Sequence, residues 1–86
     1  MARQAVKIKN NTGLHARPAA DFAKLAKSAP CEVYVEKEGK RVNAKSILGI
    51  LSLAIRKDNI VDIITEGEEE DIALDKLVSF IDDLTE

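Results

Sequence analysis

Aromatic residues, cysteine and histidine are almost missing from this 86-residue chain: Phe22, Tyr34 and Phe80 are its only aromatics, and it has one cysteine, one histidine and no tryptophan. Each scarcity removes a class of function. A lone Cys31 cannot form an internal disulfide, which points to a reducing compartment. One His and one Cys fall short of the three or four ligands of a zinc site, so neither metal nor cofactor is expected. No nucleophile-elbow pattern accompanies the histidine, which leaves a hydrolytic triad without support. Three aromatics offer few platforms for stacking bases, so nucleic acid is not expected as a partner. No apolar run approaches the roughly 20 residues needed to span a bilayer. The opening Met1-Ala2-Arg3-Gln4 also lacks an apolar stretch of signal-peptide length. No membrane association is expected, and the cytoplasm is the expected location.

Apolar residues make up 45% of the chain and fall in periodic groups, which argues against disorder. Residues 1–86 are read as a single domain, small enough to bury only about 60% of its unfolded surface. The net charge of −2 hides a division. Residues 1–57 carry twelve Lys/Arg against four Asp/Glu, a balance of +8, and residues 58–86 carry one lysine against eleven acids, a balance of −10. The histidine lies in the basic part, and an acidic protein partner suits that part best.

The periodicities order the chain as β-α-β-β-α-β-α. Residues 5–9 alternate as a half-buried strand does, and Asn10-Asn11-Thr12-Gly13 has turn composition. From Ala16 to about Lys27 the period is helical: Ala19, Phe22, Ala23, Ala26 and Ala29 share one face, with Arg17, Lys24 and Lys27 opposite. Pro18 suits the first turn and Pro30 stops the element. Residues 31–36 alternate as a second strand, Lys37-Glu38-Gly39-Lys40 forms a hairpin turn, and residues 41–43 form a short third strand. Residues 46–53 form a short helix with Ser46 as N-cap. Residues 59–66 form the fourth strand, ended by Gly67, and residues 68–84 form an acid-headed helix. Its stripe is Ala73 or Leu74, Leu77, Phe80 or Ile81, and Leu84. The predicted architecture is α+β: an open-faced β-sandwich with a four-stranded antiparallel sheet and three helices on one face. The other face is expected to be wet, with Glu32, Tyr34, Glu36 and Asp62 on it.

The chemistry concentrates in Gly13-Leu14-His15-Ala16-Arg17-Pro18-Ala19-Ala20. A turn histidine or a helix-capping histidine is the plain alternative. The context favours more. A phosphoryl acceptor must present a neutral imidazole with a free lone pair, and the positive end of a helix disfavours imidazolium. The N–H groups of Ala16 and Arg17, orphaned by helix geometry, can then donate to phosphoryl oxygens, and Arg17 adds a guanidinium. In the second helix Ile47, Leu48 and Leu51 belong to an apolar run on all sides of a short helix, which marks a docking patch, with a fully buried helix as the plain alternative.

These two segments, His15 with its surroundings and Asn43-Ala44-Lys45-Ser46-Ile47-Leu48-Gly49, closely resemble the two signature sites of HPr. HPr is the histidine-containing phosphocarrier of the phosphoenolpyruvate-dependent sugar phosphotransferase system. The resemblance spans the whole chain. It implies that His15 accepts a phosphoryl group from enzyme I and passes it to sugar-specific enzyme IIA domains, with Arg17 steadying the group. It implies a covalent carrier rather than a turnover enzyme, working as a monomer. Ser46 matches the family's regulatory serine, the target of an HPr kinase/phosphorylase; in the Gram-positive branch the product is a corepressor for a catabolite control repressor. Ala20, flat between Arg17 and Lys24, and Lys27 at the basic rim complete the docking surface with Ile47, Leu48 and Leu51. A regulatory adaptor acting mainly through Ser46 is the competing reading. The chain departs from common members at Ala54, where glycine is often found, and at Asp58-Asn59, in place of a glycine-containing turn.

Overall fold

The computed structural model describes residues 1–85. Its elements are β1 (Ala2–Lys7), α1 (Ala16–Lys27), β2 (Glu32–Lys37), β3 (Lys40–Asn43), α2 (Ile47–Leu51), β4 (Ile60–Glu66) and α3 (Glu70–Asp82). The sheet runs β1-β4-β2-β3 with every neighbouring pair antiparallel. The β2–β3 hairpin turns through Glu38 at φ 51° and Gly39 at φ 83°. Two successive left-handed residues give the turn whose twist matches that of the strands.

The strand alternation decides where the core lies. Val33 and Val35 of β2, and Val61, Ile63 and Thr65 of β4, point to one face and are buried there. α1 covers them with Ala19, Phe22, Ala23 and Ala26, and α3 with Ala73, Leu74, Leu77 and Ile81. The expected stripes thus form the core, with Ala29, Phe80 and Leu84 half-buried at its margin. Phe22 and Phe80 join the two helices through tilted rings 5.8 Å apart. No helix is long and apolar enough to cross a membrane among the described residues.

Three elements depart furthest from the sequence reading, the strands β2, β3 and β4 differing by at most one residue at either end. β1 occupies residues 2–7 rather than 5–9, because Ala2 to Lys7 pair with Thr65 to Ile60 on β4. As an edge strand it tolerates the polar Arg3-Gln4 that hid it from the alternation. α3 begins at Glu70, not Glu68, because Gly67 at φ 124° and Glu69 at φ 57° spend that stretch turning the chain. α2 is one short turn, residues 47–51.

The uncovered sheet face is not simply wet, which corrects the expectation. Arg3 of β1 binds Asp62 of β4 and, at 2.8 Å, Glu36 of β2. Arg41 of β3 binds Glu36 at 3.2 Å and sets its guanidinium 5.5 Å from the centre of the Tyr34 ring. Glu32 is exposed, but Tyr34, Glu36 and Asp62 are half-buried in this web. Ile64, flanked in register by Arg3 and Tyr34, is fully buried on the same face.

Candidate functional site

The head of α1 is the chemically distinctive point. His15 is the N-cap residue, with extended backbone (φ −83°, ψ −165°), and its carbonyl accepts the first helical bond from Ala19 at 2.9 Å. Its imidazole makes no capping hydrogen bond and is exposed. The capping alternative therefore fails for the side chain, although the residue holds the capping position. Ala16 and Arg17 follow at the first two helical positions, both exposed. Helix geometry aims such first-turn N–H groups out of the helix end, and no acid occupies this turn. A small oxyanion placed beside the ring would meet donors and the positive end of twelve aligned peptide dipoles.

The loop before His15 is tightly seated. Gly13 takes φ 61°, and a Cβ there would lie 2.4 Å from the Ile55 carbonyl oxygen and 2.8 Å from Arg56 Cα. Only glycine fits. Leu14 is buried and its N–H donates to the Ile55 carbonyl at 3.2 Å. The 54–59 segment that receives this loop takes its left-handed turns without glycine, at Ala54 (φ 50°) and Asp58 (φ 72°). Asn59 Oδ1 holds the turn by accepting from the Arg56 N–H at 2.8 Å.

α2 packs against α1. Ser46 caps it: Oγ accepts from the Gly49 N–H at 3.0 Å. Ile50 points inward and is buried, whereas Leu48 is 79% exposed, Ile47 39% and Leu51 37%. The apolar patch predicted from the sequence is thus exposed, and full burial of the helix is excluded. On α1, Lys24 and Lys27 are exposed and Ala20 is half-buried.

Two residues escaped the sequence reading, both hidden in segments read as turns. Lys37 reaches the far end of α2, where Nζ donates to the Leu53 and Ala54 carbonyls at 3.0 and 3.1 Å. Asn10 is folded inside the loop that leads to His15. Neither had a motif to announce it; a polar residue whose burial is set by distant segments leaves no local signal.

A four-stranded open-faced sandwich with an exposed histidine heading its first helix places the chain in a class of small α+β domains. Residues 2–83 match the family model described as the PTS HPr component phosphorylation site. The chain belongs to the HPr family of phosphocarriers. It is 46% identical over 82 residues to the HPr-like protein Crh of Halalkalibacterium halodurans, covering 95% of this chain and 98% of that one. The solved phosphocarrier protein HPr of Bacillus anthracis superposes with a TM-score of 0.89 at 41% identity, covering 93% and 95% of the two chains. Bacillus subtilis Crh superposes with a TM-score of 0.78 at 43% identity, covering 100% and 99%, and its structure is described as a swapped dimer.

Proposed function

We propose that the chain carries a phosphoryl group on His15 between phosphorylated enzyme I and sugar-specific enzyme IIA domains in the cytoplasm. The observation that carries this reading is an exposed imidazole at the N-cap of α1 that makes no capping bond. A ring nitrogen lone pair forms the new N–P bond while the bond from phosphorus to the donor breaks, its electron pair leaving with the donor. The phosphoryl oxygens then accept from the α1 N–H groups at Ala16 and Arg17, and the Arg17 guanidinium screens their charge. The group leaves by the same route, so the protein is a covalent intermediate rather than a turnover enzyme. Ala20, Lys24, Lys27, Ile47, Leu48 and Leu51 form the docking surface: apolar contact at the centre, and lysines that speed the approach of acidic partners.

Phosphorylation of Ser46 by an HPr kinase/phosphorylase is the proposed control. About two negative charges beside Leu48 and Ile47 would weaken docking by repulsion and desolvation. A second reading, a regulatory adaptor acting through Ser46 on a catabolite control repressor, is favoured by the 46% identity to Crh. We read the working form as a monomer; the swapped dimer described for the Bacillus subtilis relative is the alternative, and light scattering separates the two.

The test is incubation with enzyme I and labelled phosphoenolpyruvate. Wild-type protein is expected to take an acid-labile label and His15→Ala none. An unlabelled wild type, with an enzyme I active in the same organism, sinks the carrier reading. Undiminished sugar phosphorylation in extracts depleted of this protein favours the adaptor.

A further inference from the structure

We propose that Asn10 is a positioning residue for His15, clamping the loop that delivers the imidazole to the head of α1; the proposal rests on the carrier reading above. Asn10 is 5% exposed and, with Thr65, one of two buried polar residues among the described residues. Its Nδ2 donates to the Gly13 carbonyl at 2.9 Å, and its own backbone carbonyl accepts from the Gly13 N–H at 3.3 Å. Asn10 therefore grips residue 13 through both halves of its peptide bonding. The opposite side of Gly13 rests against the Ile55 carbonyl and Arg56, with no room for even a methyl group. Leu14, buried and bonded to the Ile55 carbonyl, completes the seat.

The orientation of the amide follows from its partner. Turning it over would set Oδ1 against the Gly13 oxygen, two acceptors face to face. As placed, Oδ1 is buried without a partner among the described protein groups. An unpartnered buried acceptor costs at least as much as one neutral hydrogen bond returns, so Asn10 adds little net stability. What it adds is geometry. The Gly13 carbonyl belongs to the peptide plane joined to Leu14, one residue before His15. Rotation of that plane would swing His15 away from the α1 donors, and the Nδ2 bond blocks the rotation. In-line transfer to a ring nitrogen tolerates little displacement: a misplacement of about 1 Å can cost roughly 100-fold.

Asn10→Leu keeps the shape and removes the amide, and Asn10→Ala removes both. In steady-state transfer from phosphorylated enzyme I, both variants are expected to lose roughly 10–100-fold in kcat with KM within about twofold, because the docking surface is intact. A core variant of the described fold, Ile81→Val, lowers the melting temperature but keeps the wild-type kcat, which separates positioning from general loosening. Wild-type kcat in the folded Asn10 variants, beside a wild type that labels normally, overturns the clamp and leaves the carrier reading standing. A wild type that takes no label overturns both. One measurement needs no variant: in the wild type the Asn10 side-chain amide proton bonded to the Gly13 carbonyl is expected to exchange slowly with solvent, and exchange at the free-amide rate overturns the clamp.

Discussion

Ala54 and Asp58 take φ values of 50° and 72°, where a side chain crowds its own backbone at a cost of about 1–2 kcal/mol. The strain is offset by what holds the segment: Lys37 on the Leu53 and Ala54 carbonyls, and Asn59 Oδ1 on the Arg56 N–H. Glycine at position 54 would relieve the strain and give back some chain entropy in the unfolded state. The expected balance for Ala54→Gly is a gain of about 0.5–1 kcal/mol. In a domain of this size that raises Tm by roughly 2–8 °C, read by thermal denaturation, with labelling of His15 unchanged. Both positions stood out in the sequence as departures from the family's glycines, but only the structure shows that the backbone stays left-handed there. Gly13 makes the complementary point. Its turn was legible from Asn11-Thr12-Gly13, whereas its need for glycine comes from Ile55 and Arg56, more than forty residues away.

At the scale of elements, α2 separates a capping bond from an exposed apolar patch within one turn. Ser46 works inward, closing the helix through the Gly49 N–H, while Leu48 works outward. The two roles respond differently to substitution. Ser46→Ala removes the cap and is expected to cost about 1 kcal/mol, seen as a lower Tm, with transfer from enzyme I unimpaired at temperatures where the protein is folded. Ser46→Asp keeps a good N-cap and so keeps Tm, but sets a charge beside the apolar patch. It is expected to raise KM for phosphorylated enzyme I several-fold with little change in kcat. Equal KM for the two variants would remove the patch from the docking surface. The boundaries of α1 and the β2–β3 hairpin were legible because each carries its own punctuation, Pro18, Pro30 and Gly39. β1 starts three residues earlier than the alternation indicates because an edge strand covered on one face can carry Arg3-Gln4, and only pairing with β4 reveals it. The acid-rich start of α3 hid a turn, since four consecutive acids read as a helix head whichever of them bends the chain.

Across the whole molecule, one ladder ties the sheet together: Arg3, Asp62, Glu36 and Arg41 contribute one side chain from each of the four strands. The +8/−10 division was countable in the sequence, but this ladder was not, because its members lie up to 59 positions apart and meet only through the β1-β4-β2-β3 order. Its charges make stability depend on pH with a definite sign. Arg3 first, then Arg41, hold the Glu36 carboxyl below its usual range in the folded protein. The unfolded chain therefore binds a proton more readily than the folded one, and the contribution of Glu36 is complete above about pH 5 and lost as pH falls through the folded value. Glu70 behaves alike, lowered by the Gly67 N–H and then by the Met1 ammonium. That ammonium is raised by Glu70, so its own contribution is whole below about pH 8 and fades above it. Glu36→Gln isolates the ladder. It removes the charge but keeps a group that can accept from Arg3 and Arg41. Thermal melts of wild type and variant from pH 2 to 8 are expected to differ most near neutrality and to converge in acid, where wild-type Glu36 is itself protonated. A gap that held constant into acid would trace the loss to packing on Tyr34 and Ile64 rather than to charge. Convergence assigns it to the ladder.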